Sequence, residues 1–299
     1  MKTTRLFLAI LLTAFCCTSV AAQGFAPNPQ NDDEGKYSLQ NGKVTMTINA
    51  QHGAKILSFK YEEQEIISQL RRPEAFGSTF WTSPQKEWYW PPIPEYDKQA
   101  YQVEHKDNVL RMTSEVSQRM KYRICKEFSV DKKDGAFIIT YYIINESDEP
   151  RKVAPWEVTR VVNDEGLIFF EAPADSIWPA GLMDFKDGYG AAWYKTDETG
   201  ENRKVNADGK GWLAYYHKGL LLVKRFEDIT TSQPAPGEAE VQVYVNRGKA
   251  HIELESQGAY TTLQPKEQLS WTVRWYLLPF DGAPEPSPAL LQKAKGVNP

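Results

Sequence analysis

Ala136-Phe-Ile-Ile-Thr-Tyr-Tyr-Ile-Ile144 is a run dominated by β-branched and aromatic side chains, entered through the turn signal Lys133-Asp134-Gly135. A run of this composition and length, bounded by turn residues, reads as a strand. The same signal recurs outward in both directions: at 109–113, 55–60 and 44–48 before it, and at 167–170, 212–216, 220–224, 241–245, 251–255 and 269–277 after it. Asn41-Gly42, His52-Gly53, His217-Lys-Gly219 and Asn246-Arg-Gly248 punctuate these runs as turns. Helical periodicity shows only weakly, at 288–295. Many short strands with regular turns and no internal repeat predict an all-β fold, a sandwich or a barrel. It is expected to form a single domain over residues 36–281, after a flexible polar lead-in at 23–35 and before a C-terminal tail at 282–299.

The chain has 299 residues, enough for one large all-β domain. Lys and Arg total 35 and Asp and Glu 39, a net charge of −4 with the signs interspersed, which argues against nucleic acid as a partner. A hydrophobic content of 41% excludes intrinsic disorder, and nine Trp and fifteen Tyr make the chain rich in aromatic surface.

Residues 1–22 read as a secretory signal. Lys2 and Arg5 supply the positive start, 6–15 an uncharged apolar run, and Val20-Ala21-Ala22 a small-residue cleavage site. The run is too short to span a bilayer, and no later stretch supplies a transmembrane segment. The expected location is the bacterial periplasm. Lipid anchoring at Cys16 or Cys17 is less favoured, because Phe15 precedes the first of them. Beyond the signal only Cys125 is left, so no intrachain disulfide is expected. Its place in the alternating run 122–128 reads as a small buried hydrophobe.

The sequence lacks GxSxG, HExxH, GxGxxG, a P-loop and any Cys/His cluster, so no metal and no cofactor is expected. Three segments carry possible chemistry. The long connection 76–101 contains Trp81, Gln85, Trp88 and Trp90; flat aromatics beside polar side chains suit the apolar faces and hydroxyls of sugar rings. Trp residues that merely staple the loop to a sheet are the alternative. In His251-Ile-Glu-Leu-Glu-Ser-Gln257, strand alternation puts Glu253 and Glu255 on one face, close enough to split their pKa values into one acid and one base. An ordinary solvated face is the alternative. In Ala154-Pro-Trp-Glu-Val-Thr-Arg160, Glu157 and Thr159 share one face and Trp156 and Arg160 the other; Arg160 is a candidate ligand contact or an ion-pair partner. Arg274 joins the candidate polar contacts. A second long connection, 184–211, is rich in Gly, Asp and Lys.

Asn49-Ala-Gln-His-Gly-Ala-Lys-Ile-Leu-Ser-Phe59 followed by Glu65-Ile-Ile67, then Tyr141-Tyr-Ile-Ile-Asn-Glu-Ser-Asp-Glu-Pro150, then Leu254-Glu-Ser-Gln257, resemble in this order the passages of galactose mutarotase-like proteins. More narrowly, the chain resembles the secreted bacterial family DUF4380. The resemblance implies a β-supersandwich with a concave carbohydrate-binding face, and puts Glu255 where the family's catalytic base stands. The family's acid is a His after the Asn passage. Here that stretch reads Pro155-Trp-Glu-Val158, and 60–100 holds no His. Glu157 is the candidate substitute.

Three functions follow as expectations. The first is a secreted carbohydrate-binding protein contacting a mono- or oligosaccharide through Trp81, Trp88, Trp90, Gln85, Arg160, Glu253 and Arg274. The second is a sugar-active enzyme, aldose epimerase-like or glycan-degrading, with Glu255 as base and Glu157 as acid. The third is a protein-interaction sandwich.

Overall fold

The computed structural model describes residues 26–27, 35–72 and 75–298. The signal at 1–22 and most of the lead-in at 23–35 lie outside the described residues. Two antiparallel sheets face each other. The first runs Lys36–Asn41, Val44–Asn49, Lys55–Tyr61, Ser78–Ser83, Arg151–Val161, Ile252–Gln257, Val241–Val245, Arg203–Ala207, with the short strands Ala26–Pro27, Gln64–Glu65 and Thr261–Leu263 added at its margins. The second runs Lys186–Gly188, Ala191–Lys195, Leu167–Phe170, Trp212–His217, Leu220–Arg225, Gln268–Pro279, Phe137–Asn145, Tyr122–Val130, Val109–Thr113, Gln102–Lys106. The all-β expectation is met. Among the described residues no helix is long and apolar enough to cross a membrane.

Alternation sets the layers. Phe137, Ile139, Tyr141 and Ile143 are buried while the residues between them are half-buried. Across the interface Phe80 of the first sheet stacks on Tyr141 of the second, with ring centroids 4.2 Å apart. The other face of the second sheet is not bare. Helix Pro288–Lys295, capped by Ser287 and opened by Pro288, lays Leu290, Leu291 and Ala294 against Trp212, Tyr216 and Tyr276. Leu220-Leu-Leu-Val223 is therefore covered on both faces, which explains an apolar run without alternation. Cys125 is buried, as its sequence context predicts, and burial pushes its thiol up.

The segments that carry the family resemblance have identifiable work. The Glu65 carboxylate accepts from the backbone amides of Phe59, Ile66 and Ile67 and from Ser58 Oγ, pinning a turn at the end of its strand. Asn145 is fully buried; its Nδ2 donates to the carbonyls of Glu149 and Leu263, which closes the polar turn before Pro150. The 184–211 connection, read from sequence as a loop, holds three strands. Its last, Arg203–Ala207, forms an edge of the first sheet.

Nine consecutive residues of Arg151–Val161 are buried, from Val153 on. Toward the second sheet this strand presents Glu157, whose Oε2 lies 2.6 Å from Lys224 Nζ with both side chains fully buried. Tyr141 Oη (2.7 Å) and Trp275 Nε1 (3.1 Å) donate to Glu157 Oε1, and Lys224 Nζ also donates to Thr159 Oγ1 and the Leu254 carbonyl. Burial drives Lys224 below the usual lysine range, against the pull of Glu157. Lys224→Met, which strands the carboxylate, is expected to cost about 3–5 kcal/mol in urea unfolding. Adding Glu157→Gln, which keeps acceptors for Tyr141 and Trp275, should recover much of that loss. An equal loss in the single and double variants would exclude the ion pair as its source.

Candidate functional site

The outward face of the first sheet, with the loops around Arg72 and Gln85, encloses a cavity of about 550 Å³. Its floor follows from strand register. Arg160 pairs with Glu253, and Val158 with Glu255, across Arg151–Val161 and Ile252–Gln257. Tyr244 and Gln242 flank the same two carboxylates on the other side. Lys204 sits opposite Tyr244 on the edge strand. Alternation turns 251, 253 and 255 to one face, so His251, Glu253 and Glu255 all line the cavity.

One wall is aromatic. Trp81 and Trp156 are directly opposed in register and meet edge to face at 5.2 Å; Trp90 meets Trp81 edge-on at 6.2 Å and is 53% exposed. Trp81 is fixed from behind. Its Nε1 donates to Asp97 Oδ1 (2.9 Å), which also accepts from Thr79 Oγ1, while Lys55 Nζ holds Asp97 Oδ2 at 2.8 Å, all buried. Burial pushes the Asp97 carboxyl up, but Lys55 and these donors hold it below the usual carboxylate range. The Arg160 guanidinium lies 5.5 Å from the Trp81 ring centre.

The two carboxylates are held differently. Glu253 Oε1 is 2.8 Å from Arg160 and 3.6 Å from His251 Nε2; burial opposes ionisation, yet these partners bring Glu253 down to about 2. Glu255 Oε2 accepts from Trp156 Nε1 at 2.8 Å and from Lys204 Nζ at 2.9 Å. Burial pushes Glu255 above the ordinary glutamate range, and the Glu253 charge adds to this against the pull of Lys204. The pair is thus split into a carboxylate held ionised at neutral pH and a carboxyl with raised proton affinity.

Trp81, Trp90, Gln85, Glu253 and Glu255 come together around this cavity, with Arg160 ion-paired beneath it. Three sequence-based candidates do not. Trp88 is 1% exposed behind the wall, its Nε1 donating to the Thr82 carbonyl, so it supports Trp81 and Trp156 and offers no face to a ligand. Glu157 points between the sheets and is held by Lys224, so it cannot supply the acid. Arg274 projects from the second sheet's far face, 2.5 Å from Asp134 and 3.3 Å from Asp131. Sequence reasoning missed Trp156 as a ring of the wall, and Lys204, Tyr244, Asn246, His251 and Arg72 altogether. Parity along the strand could have flagged His251. The others needed the strand order. Elsewhere, carboxylate oxygens of Asp208, Asp228 and Glu240 gather within 4.8 Å. Glu240 already accepts backbone amides of Gly209, Gly211 and Ile229, with burial raising it to about 7, and Lys210 engages Asp208.

No protein-family model matches the chain, and no curated protein matches it. Solved structures do. A galactose mutarotase-like protein from Lactobacillus casei superimposes with a TM-score of 0.61 at 12% identity, covering 82% of this chain and 100% of that one. A proposed aldose 1-epimerase from Escherichia coli K12 gives 0.61 at 13%, covering 82% and 99%. A galactose mutarotase related enzyme from Lactobacillus acidophilus gives 0.53 at 11%, covering 81% and 97%. At such identities the likeness is one of fold: the chain has the galactose mutarotase-like β-sandwich.

The split pair predicts opposite responses. Glu253 is depressed, so it adds stability above the ordinary glutamate range that is lost as pH falls toward its folded value. Glu253→Gln, which also leaves buried Arg160 unpaired, is expected to lose about 3–5 kcal/mol at pH 7, less at pH 4. Glu255 is raised, so ionising it costs stability as pH rises. Glu255→Gln should keep or raise the melting temperature at pH 7 and match the parent near pH 4. Equal destabilisation by both variants across pH would contradict the assignment.

Proposed function

We propose that the protein binds a saccharide in the cavity beneath Trp90. The observation that carries this reading is the meeting of three indoles, Trp81, Trp90 and Trp156, with the buried carboxylates Glu253 and Glu255 in one space. Indole faces and edges take the C–H surface of a pyranose, while Gln85, Tyr244 and Asn246 offer amide and hydroxyl groups to its hydroxyls. The folds of mutarotase- and epimerase-type proteins support a sugar ligand.

A second reading adds turnover. Glu255 is positioned on the cavity floor with a raised proton affinity, as a base acting on an anomeric hydroxyl requires. Interconversion of aldose anomers is the reaction this favours. Membership of DUF4380 and export to the periplasm belong to the same proposal, and rest on the motif resemblance and on residues 1–22.

Thermal shift of residues 23–299 against monosaccharides, uronic acids and oligosaccharides tests the binding reading. A ligand at 100 times its dissociation constant adds about 2.7 kcal/mol and moves the transition by several degrees. Trp90→Ala should then weaken the affinity by about 1–3 kcal/mol in calorimetry, with the unliganded melting temperature unchanged. No shift at millimolar ligand across the whole panel would refute the proposal and favour a protein-interaction role.

A further inference from the structure

The family's acid is missing from the sequence, and Glu157 is locked in the core. We propose that Lys204 is the acid: its ammonium protonates the ring oxygen of a bound aldose while Glu255 takes the proton of the anomeric hydroxyl. The inference rests on the turnover reading above.

Geometry carries it. Lys204 Nζ is 2.9 Å from Glu255 Oε2, and its side chain is 31% exposed, open to the cavity. The ammonium lies 4.7 Å from the centre of the Trp156 ring, which holds it against the aromatic wall. An ammonium carries three protons, so one can stay on Glu255 while another points into the cavity. Base and acid side by side match the two oxygens that one anomeric carbon bears. Other cavity groups fit worse. Arg72 on the cavity wall and Arg160, ion-paired to Glu253, are guanidinium groups that do not release protons at working pH. His251 faces Glu253, and its backbone stands four residues, roughly 13 Å, along the extended strand from that of Glu255. Tyr244 is a phenol that burial pushes further up.

The step balances. Glu255 carboxylate removes the O1 proton, the C1–O1 bond becomes a carbonyl, the C1–O5 bond breaks, and O5 receives a proton from Lys204. Rotation about C1–C2 presents the other carbonyl face. O5 then attacks C1, its proton returns to Lys204, and Glu255 gives its proton back to O1. No oxidant, reductant or metal is consumed.

The test follows anomer exchange of α-D-glucose, α-D-galactose and α-D-galacturonic acid by polarimetry, with affinity measured by calorimetry for each variant. Lys204→Met keeps most of the stem and removes the proton donor; Lys204→Arg keeps the charge beside Glu255 but does not release a proton. Glu255→Gln and Lys204→Met are each expected to lose about 100-fold or more in kcat with binding retained. Arg should fail to rescue, and the loss should persist across pH. Rescue by Arg, or a Lys204→Met loss that disappears at high pH, would make Lys204 a positioning charge for Glu255 and overturn the acid role while the base reading stands. Full turnover in Glu255→Gln would overturn both. Absence of catalysis by the parent protein would also overturn both, and leave saccharide binding intact.

Discussion

One ammonium group, that of Lys224, ties the functional face together from beneath. It reaches Glu157 and Thr159 on one strand and the Leu254 carbonyl on the next. Those two strands carry Trp156 and Arg160, and Glu253 and Glu255, on their opposite faces. A charge buried between sheets is tolerated only when every partner is in place. Here the partners belong to the strands whose spacing defines the cavity, so the constraint that stabilises the core also sets the distance between the indole wall and the carboxylates.

The cavity shows the same economy on its other side. Asp97 comes from a short helix, Pro94–Asp97, at the end of the aromatic connection, and receives Trp81, Thr79 and Lys55. That connection is long because it must rise from the sheet, place Trp90 at the rim and Trp88 behind it, and return an acid to the base of Trp81. The second sheet has no comparable freedom on its outer face, because the C-terminal helix covers part of it.

The strands were legible because alternation and turn chemistry are local. The runs at 137–145 and 252–257 emerge with the faces their sequence predicts, and parity puts Glu253 and Glu255 on one face; their splitting depends on Arg160, His251 and Lys204, which strand order brings to them. What was not legible depends on strand order. Lys204 lies in a stretch whose Gly, Asp and Lys content reads as loop; only pairing with 241–245 brings it to Glu255. Arg274 and Glu157 failed for the converse reason. Each has a chemistry suited to a site, but alternation gives two faces and cannot say which one looks onto a cavity. Trp88 shows that aromatic composition marks a wall without saying which rings form its surface.

The indole wall has an optical consequence. Trp81, Trp88, Trp90 and Trp156 form a chain of ring contacts between 5.2 and 6.2 Å. Trp156 donates its N–H to a carboxyl whose charge changes with pH, and lies under an ammonium. Transition dipoles this close couple, and an indole bonded to a titrating acid changes its emission as the proton moves. The near-ultraviolet dichroism and intrinsic fluorescence of the protein therefore carry a built-in record of the protonation of Glu255, readable without a label.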